Sequence, residues 1–219
     1  MNHSVKKPSR KRTGRSFLVI GVTGGIGAGK SAVSGMLQGK GARLLDADAL
    51  SRQVTGPEMP ALKEITACFG EDLIDSEGRL DRSRLASVVF GDPEKRRQLE
   101  AIVHRRVVEA IDCFLVQWQM EGYRGLVVLD VPIPVERGFL DNCDEVWVVE
   151  SPQAQRVRRV QRRSGLSETD VLVRMSAQPD EKSYRGLATR LLANEGDLEE
   201  LHCKVSHLLD LALHESRPQ

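Results

Sequence analysis

The apolar positions of this chain fall into short runs separated by stretches of helical spacing. Phe17–Val22 is a run enriched in Val and Ile, the pattern of a buried strand. A glycine-rich turn follows over Thr23–Gly29. From Lys30 the spacing turns helical, with Val33, Met36 and Leu37 on one face, until Gly39 and Gly41 stop it. Arg43–Leu45 starts a second strand that ends on Asp46-Ala47-Asp48. This order predicts a βαβ unit whose two strands are parallel and joined by a right-handed crossover.

The middle of the chain is helical in character. Ala61–Phe69 carries apolar positions at helical spacing, and Gly78 with Leu80-Asp81-Arg82 marks a turn into a short helix over Ser83–Phe90. Asp92 is a cap and Pro93 a first helical residue. Behind them runs a long amphipathic helix through Leu99, Ile102, Val103, Val107, Ile111 and Leu115. Gly125–Val131 is a continuous apolar strand broken by Pro132 and Pro134, and Glu145–Val149 is a further strand. Ser167–Gln178 and Glu199–His214 read as helices.

At 219 residues the chain can form one α/β domain with an insertion and bury a sizeable core. Its longest apolar runs are too short to span a bilayer. The N-terminal stretch is basic but lacks the apolar run of a secretion signal. The four cysteines have no paired spacing, which argues against a zinc site or a disulfide framework. The expectation is a cytoplasmic protein with no membrane partner. The net charge of +1 hides an asymmetry. Residues 1–16 hold six basic residues and no acid, and the rest carries 26 basic against 31 acidic residues, a net of −5. The tail reads as a solvated, disordered arm. The body is no basic nucleic-acid surface, so no nucleic-acid partner is expected. No oligomeric state follows from the pattern.

The sharpest chemistry lies in Gly24-Gly25-Ile26-Gly27-Ala28-Gly29-Lys30-Ser31, which fits G-x-x-x-x-G-K-[ST] between a strand and a helix. Glycines let successive N–H groups face a phosphate without side-chain obstruction, and the helix adds its positive end. Lys30 is expected on the β- and γ-phosphates of ATP and the Ser31 hydroxyl on Mg2+. Gly25, Ile26, Gly27, Ala28 and Gly29 form the rest of the nucleotide cradle, with Ala32 beside it.

That loop names no reaction by itself. Asp46 and Asp48 stand at the carboxyl end of the second strand, the edge where parallel sheets bind ligands. A carboxylate there can take the proton of an attacking hydroxyl, and Asp48 is the choice because it lies nearer the loop that faces substrate. The alternative is that these aspartates cap a helix that includes Leu50 and Val54. Gln155–Arg163 holds five arginines in nine positions. Arg158 and Arg162 share a helix face and suit a lid that neutralises phosphate charge. Arg156, Arg159 and Arg163 form another face and are expected at the surface.

Together these residues resemble the dephospho-CoA kinase family. The likeness runs from Phe17 to about Leu201. It takes in Thr23–Ser31, Asp46-Ala47-Asp48, Gly78, Leu80-Asp81-Arg82, Leu85, Phe90, Leu99 and His104. It continues through Leu129-Asp130-Val131-Pro132, Glu136, Gln155, Arg158, Arg162, Arg174, Gln178, Lys182, Asn194 and Gly196. The resemblance implies a P-loop nucleoside-triphosphate-binding fold, a parallel sheet sandwiched by helices, with a helical substrate domain and a lid. Here that means a core of 17–60, 121–150 and 186–219, an insertion near 61–120, and a lid near 151–185.

The same resemblance implies ATP and Mg2+, transfer of the γ-phosphoryl group to the 3′-hydroxyl of dephospho-CoA, and Asp48 as the base. Arg158 and Arg162 would be lid arginines, and Asn194 and Gly196 would lie near the adenine. Arg82, His104, Pro132 and Glu136 would join Asp48 on the acceptor. The chain departs from the family at Arg105, Pro134, Thr189 and Ala32, none of which removes Lys30, Ser31 or Asp48. For His104 the alternative is a structural, hydrogen-bonded histidine. Two other readings stand beside this one: another P-loop nucleotide or small-molecule kinase, and a nucleotide-dependent regulatory module that uses the basic tail.

Overall fold

The structure is a computed structural model that describes residues 14–131 and 138–216. The basic arm therefore lies almost wholly outside the described residues, and Pro132, Pro134 and Glu136 lie outside them too.

A strand with no polar face must be covered on both sides, and β1 (Leu18–Thr23) is buried at every position. It runs parallel between β3 (Leu126–Asp130) and β4 (Glu145–Glu150), with Leu18 opposite Leu126 and Ile20 opposite Glu145. β2 (Arg43–Asp46) pairs outside β3, and β5 (Arg190–Ala193) outside β4. The sheet order is β2-β3-β1-β4-β5, all parallel. The two strands of the expected βαβ unit are parallel, but β3 sits between them.

Two helices cover one face of this sheet. Val33 and Leu37 of α1 (Lys30–Gly39) and Leu201, Val205, Leu209 and Ala212 of α9 (Leu198–Ser216) share a core with Ile20, Val22, Val128, Trp147 and Leu192. Within it, Glu145 is 3% exposed and binds Arg190 from both carboxylate oxygens, at 2.7 and 2.8 Å. It also accepts the Trp147 indole N–H at 2.8 Å. Removing one partner of a buried pair leaves the other charge stranded. Arg190 keeps a second carboxylate, Glu215 at 3.1 Å. Glu145→Ala should therefore cost about 3 kcal/mol, the low end for such a loss, lowering Tm by roughly 6–12 °C. A thermal melt with a loss under about 1 kcal/mol would mean that Glu215 alone suffices.

Backbone contacts divide the chain into two units, one made of the residues up to Asp46 and from Gln119 on, the other of Ala47–Trp118. The second unit holds α2 (Ala47–Val54), α3 (Pro60–Phe69), α4 (Arg82–Val89) and nearly all of α5 (Pro93–Met120). Its core is Ala61, Ile65, Leu73, Leu85 and Ile102, flanked by Val54, Phe69 and Leu99. The helix starts follow their caps: Asp81 accepts from the N–H groups of Ser83 and Arg84, and Asp92 from those of Glu94 and Lys95. The unit begins at Ala47, and Val54 of α2 packs on its core.

In the first unit, α6 (Gln153–Ser164) and α7 (Glu168–Ser176) close a small core of Val157, Val160 and Val171, against which Ile26, Leu166 and Met175 pack. A short α8 (Glu181–Leu187) precedes β5. Among the described residues no helix is long and apolar enough to cross a membrane.

Candidate active site

β1, the central strand of the sheet, delivers the chain into the glycine loop at the sheet's carboxyl edge. Gly24 has φ +146°, and a Cβ there would sit 2.3 Å from the Val149 carbonyl oxygen. Gly29 has φ +105° at the start of α1, where a Cβ would meet Asn194 Nδ2 at 2.1 Å. No other residue fits either position. The loop folds on itself through the Ala28 N–H donating to Gly25 O at 3.1 Å. The N–H groups of Gly27, Gly29 and Ser31 have no acceptor among the described residues. Bare N–H groups at the positive end of α1 form a concavity that suits a phosphate chain. Lys30 Nζ donates to Gly24 O at 2.8 Å, holding the ammonium against the loop. Ser31 is exposed in the first turn of α1, with its hydroxyl available to a cation.

The arginines of α6 divide differently from the sequence expectation. Arg156 and Arg159, expected at the surface, are half-buried against the loop: Arg156 Nε donates to Ile26 O at 2.9 Å, and Arg159 Nη1 to Ala28 O at 3.3 Å. Arg158 and Arg162, like Arg163, are exposed. The buried stripe of α6, Val157 and Val160, leaves arginines on both of its flanks, and periodicity alone does not say which flank meets the loop.

Asn194, expected near the adenine, is 6% exposed and donates Nδ2 to Ala28 O at 2.8 Å, so it braces the loop from behind. Gln178, just past α7, accepts the Ile26 N–H on its side-chain oxygen at 2.7 Å. Neither contact is visible in spacing or composition. Beside the loop opens a pocket of about 170 Å³, lined by Gly25, Ala28, Glu150, Arg156, Tyr184 and Arg185, among others.

Asp46 ends β2 opposite Asp130, which ends β3, so two carboxylates adjoin on the same sheet edge. Asp48 lies two residues on, exposed in the first turn of α2. The alternative reading of these aspartates, a helix following them, thus also describes the fold. In the second unit Arg82 opens α4 and donates to Thr55 Oγ1 at 2.7 Å. His104 is half-buried on α5, and that burial lowers its imidazole pKa. The Cys143 thiol, buried and structural, is pushed up to about 12 by desolvation.

A five-stranded parallel sheet of this order, with a glycine loop and helix after its central strand, defines a kinase-type P-loop fold. The family model described as Dephospho-CoA kinase matches residues 18–200. The dephospho-CoA kinase of Thermobifida fusca (strain YX) is 43% identical over 192 residues, 88% of this chain and 94% of its own length. A solved Thermus thermophilus protein superposes with a TM-score of 0.70 at 36% identity, over 92% of this chain and 98% of its own. The Campylobacter jejuni dephospho-CoA kinase structure gives 0.60 at 20% identity, over 89% and 97%, and attests the fold alone. The chain belongs to the dephospho-CoA kinase family.

Proposed function

We propose that the protein transfers the γ-phosphoryl group of ATP to the 3′-hydroxyl of dephospho-CoA, giving coenzyme A and ADP. The family match over residues 18–200 carries this reading. The glycine loop supports its ATP half through the bare N–H groups of Gly27, Gly29 and Ser31 and the nearby Lys30 ammonium. Its compartment is the cytoplasm.

Phosphoryl transfer needs little covalent help from protein, so its catalysis is positioning and charge. The loop N–H groups orient the phosphates, and Lys30 balances charge that shifts toward the β–γ bridge. Asp48 orients the attacking 3′-hydroxyl and takes its proton. Arg158 and Arg162 are the lid arginines that meet the phosphates, their exposure leaving both guanidiniums open to a ligand. Arg82, His104, Pro132 and Glu136 bind the acceptor. The hard oxygen donors at the loop, the Ser31 hydroxyl and the Asp46–Asp130 edge, suit Mg2+. Bound there, that ion would neutralise phosphate charge.

An ADP-release assay over a panel of acceptors tests the reading. Dephospho-CoA should exceed shikimate, gluconate and nucleoside monophosphates by about a thousandfold or more in kcat/KM. Comparable turnover of any of these would make the protein another small-molecule kinase of this fold. In the same assay Arg158→Lys and Arg162→Lys should lower kcat more than they raise KM for ATP, because lysine keeps the charge but loses the planar fork. Unchanged kcat in both would remove them from the lid role.

A further inference from the structure

Three successive carbonyls on the outer side of the glycine loop are held by α6 and by Asn194. Ile26 O accepts from Arg156 Nε at 2.9 Å. Gly27 O accepts from Arg159 Nη1 at 3.5 Å. Ala28 O accepts from Arg159 Nη1 at 3.3 Å and Asn194 Nδ2 at 2.8 Å. A trans peptide points its N–H opposite its C=O, so fixing these three carbonyls outward fixes the N–H groups of Gly27, Ala28 and Gly29 inward. The Ala28 N–H is used within the loop, and those of Gly27 and Gly29 are left facing the ligand side.

Arg159 is itself tied on every side. Its guanidinium also donates to Ser151 Oγ at 3.1 Å, Gln155 Oε1 at 3.2 Å, and Asn194 O and Oδ1 at 3.1 and 3.4 Å. All of these acceptors are neutral oxygens. Arg156 faces a carboxylate, that of Glu181, only at 3.7 Å. A full positive charge that meets no carboxylate among the described residues thus sits directly behind the loop, where it adds to the field that α1 presents.

We infer that Arg159, assisted by Arg156, is a positioning residue of the phosphate loop. It holds the loop carbonyls outward, so that the loop is ordered for phosphate before ATP arrives, and it supplies positive potential from behind. The inference rests on the reading of this loop as the cradle of the ATP phosphates. It gives these two arginines a task separate from that of the exposed Arg158 and Arg162.

The test uses the full chain with Arg159→Gln, Arg159→Lys, and the exposed Arg163→Gln as a control for lost net charge. Hydrogen exchange of the loop amides without nucleotide reads the ordering. Binding of Mg-ATP, together with KM for ATP and for dephospho-CoA, reads the consequence. In Arg159→Gln, exchange of the Ala28 amide, which donates to Gly25 O within the loop, should quicken and Mg-ATP binding weaken, each by about tenfold, with KM for dephospho-CoA within about twofold of the parent. Arg159→Lys should fall between, since one ammonium cannot reach all the oxygens the fork reaches. Arg163→Gln should match the parent.

Unchanged exchange in Arg159→Gln overturns the inference. So does a lowered Tm with unchanged Mg-ATP affinity, which is the result of a merely structural arginine. If Arg159→Gln does not fold, Arg159→Lys carries the same comparison, and parental exchange and affinity in it overturn the inference. Should the parent itself bind no Mg-ATP, the phosphate reading fails, while quickened exchange in the variant still upholds the clamp.

Discussion

Lys30→Ala should lose turnover by about a thousandfold while its ligand-free melting point stays within a few degrees of the parent. A loss that large is what an ammonium acting on charge that develops in the transition state would give. The fold should survive because Lys30 is only half-buried and its ammonium donates to the loop carbonyls of Gly24 and Gly25. Ligand linkage gives a second readout that needs no acceptor. At a hundredfold excess over Kd, Mg-ATP stabilises the parent by about 2.7 kcal/mol, or roughly 5–10 °C for a chain of this size. The variant should show a small fraction of that shift. Equal shifts in both proteins would remove Lys30 from the phosphates.

Asp48→Asn should lower kcat by about a hundredfold or more with little change in ATP affinity. Two roles compete for this residue, and their magnitudes separate them. As an acid in the first turn of α2, Asp48 favours the helix dipole, a contribution of only about 0.3–1 kcal/mol to stability with no bearing on rate. As the group that orients the acceptor hydroxyl, it controls the chemical step. Phosphoryl transfer through a loose transition state needs little early proton removal, so much of the loss would be orientation. Loss of the acidic limb of the kcat profile in Asp48→Asn would identify a true base. Asp46→Asn should cost less, since Asp46 stands in the strand register beside Asp130. Near-parental turnover in Asp48→Asn, with Asp46→Asn inactive, would transfer the role to Asp46.

What the sequence reveals depends on whether a residue's environment is local. β1, the glycine loop and α1 are legible because a buried run, a phosphate motif and a helical face adjoin within a short stretch. The start of α5 is legible because Asp92 caps the helix with its own side chain. β5 is not. It has four residues, of which Leu192 is 1% exposed and Leu191 50%, and it is a strand because β4 lies beside it. α8 is equally hidden, with seven residues and a glycine near its end.

The candidate site divides in the same way. Gly24, Gly29, Lys30 and Ser31 follow from a motif whose chemistry is carried in order along the chain. The loop contacts of Arg156, Arg159, Gln178 and Asn194 come from segments far away in sequence, and spacing within α6 cannot say what packs on either flank. The family resemblance named Gln178 and Asn194 but not the loop groups they bind.

The strand order also bears on how the chain is made. A ribosome delivers β1, α1 and β2 first and the segment 47–118 next. β3, which must lie between β1 and β2, comes only after that segment. Until Leu126–Asp130 has left the exit tunnel, neither earlier strand has its neighbour, and β1 still lacks β4 on its other side. The apolar residues of β1, and with them the phosphate loop, therefore wait through more than half of synthesis for the strands that bury them.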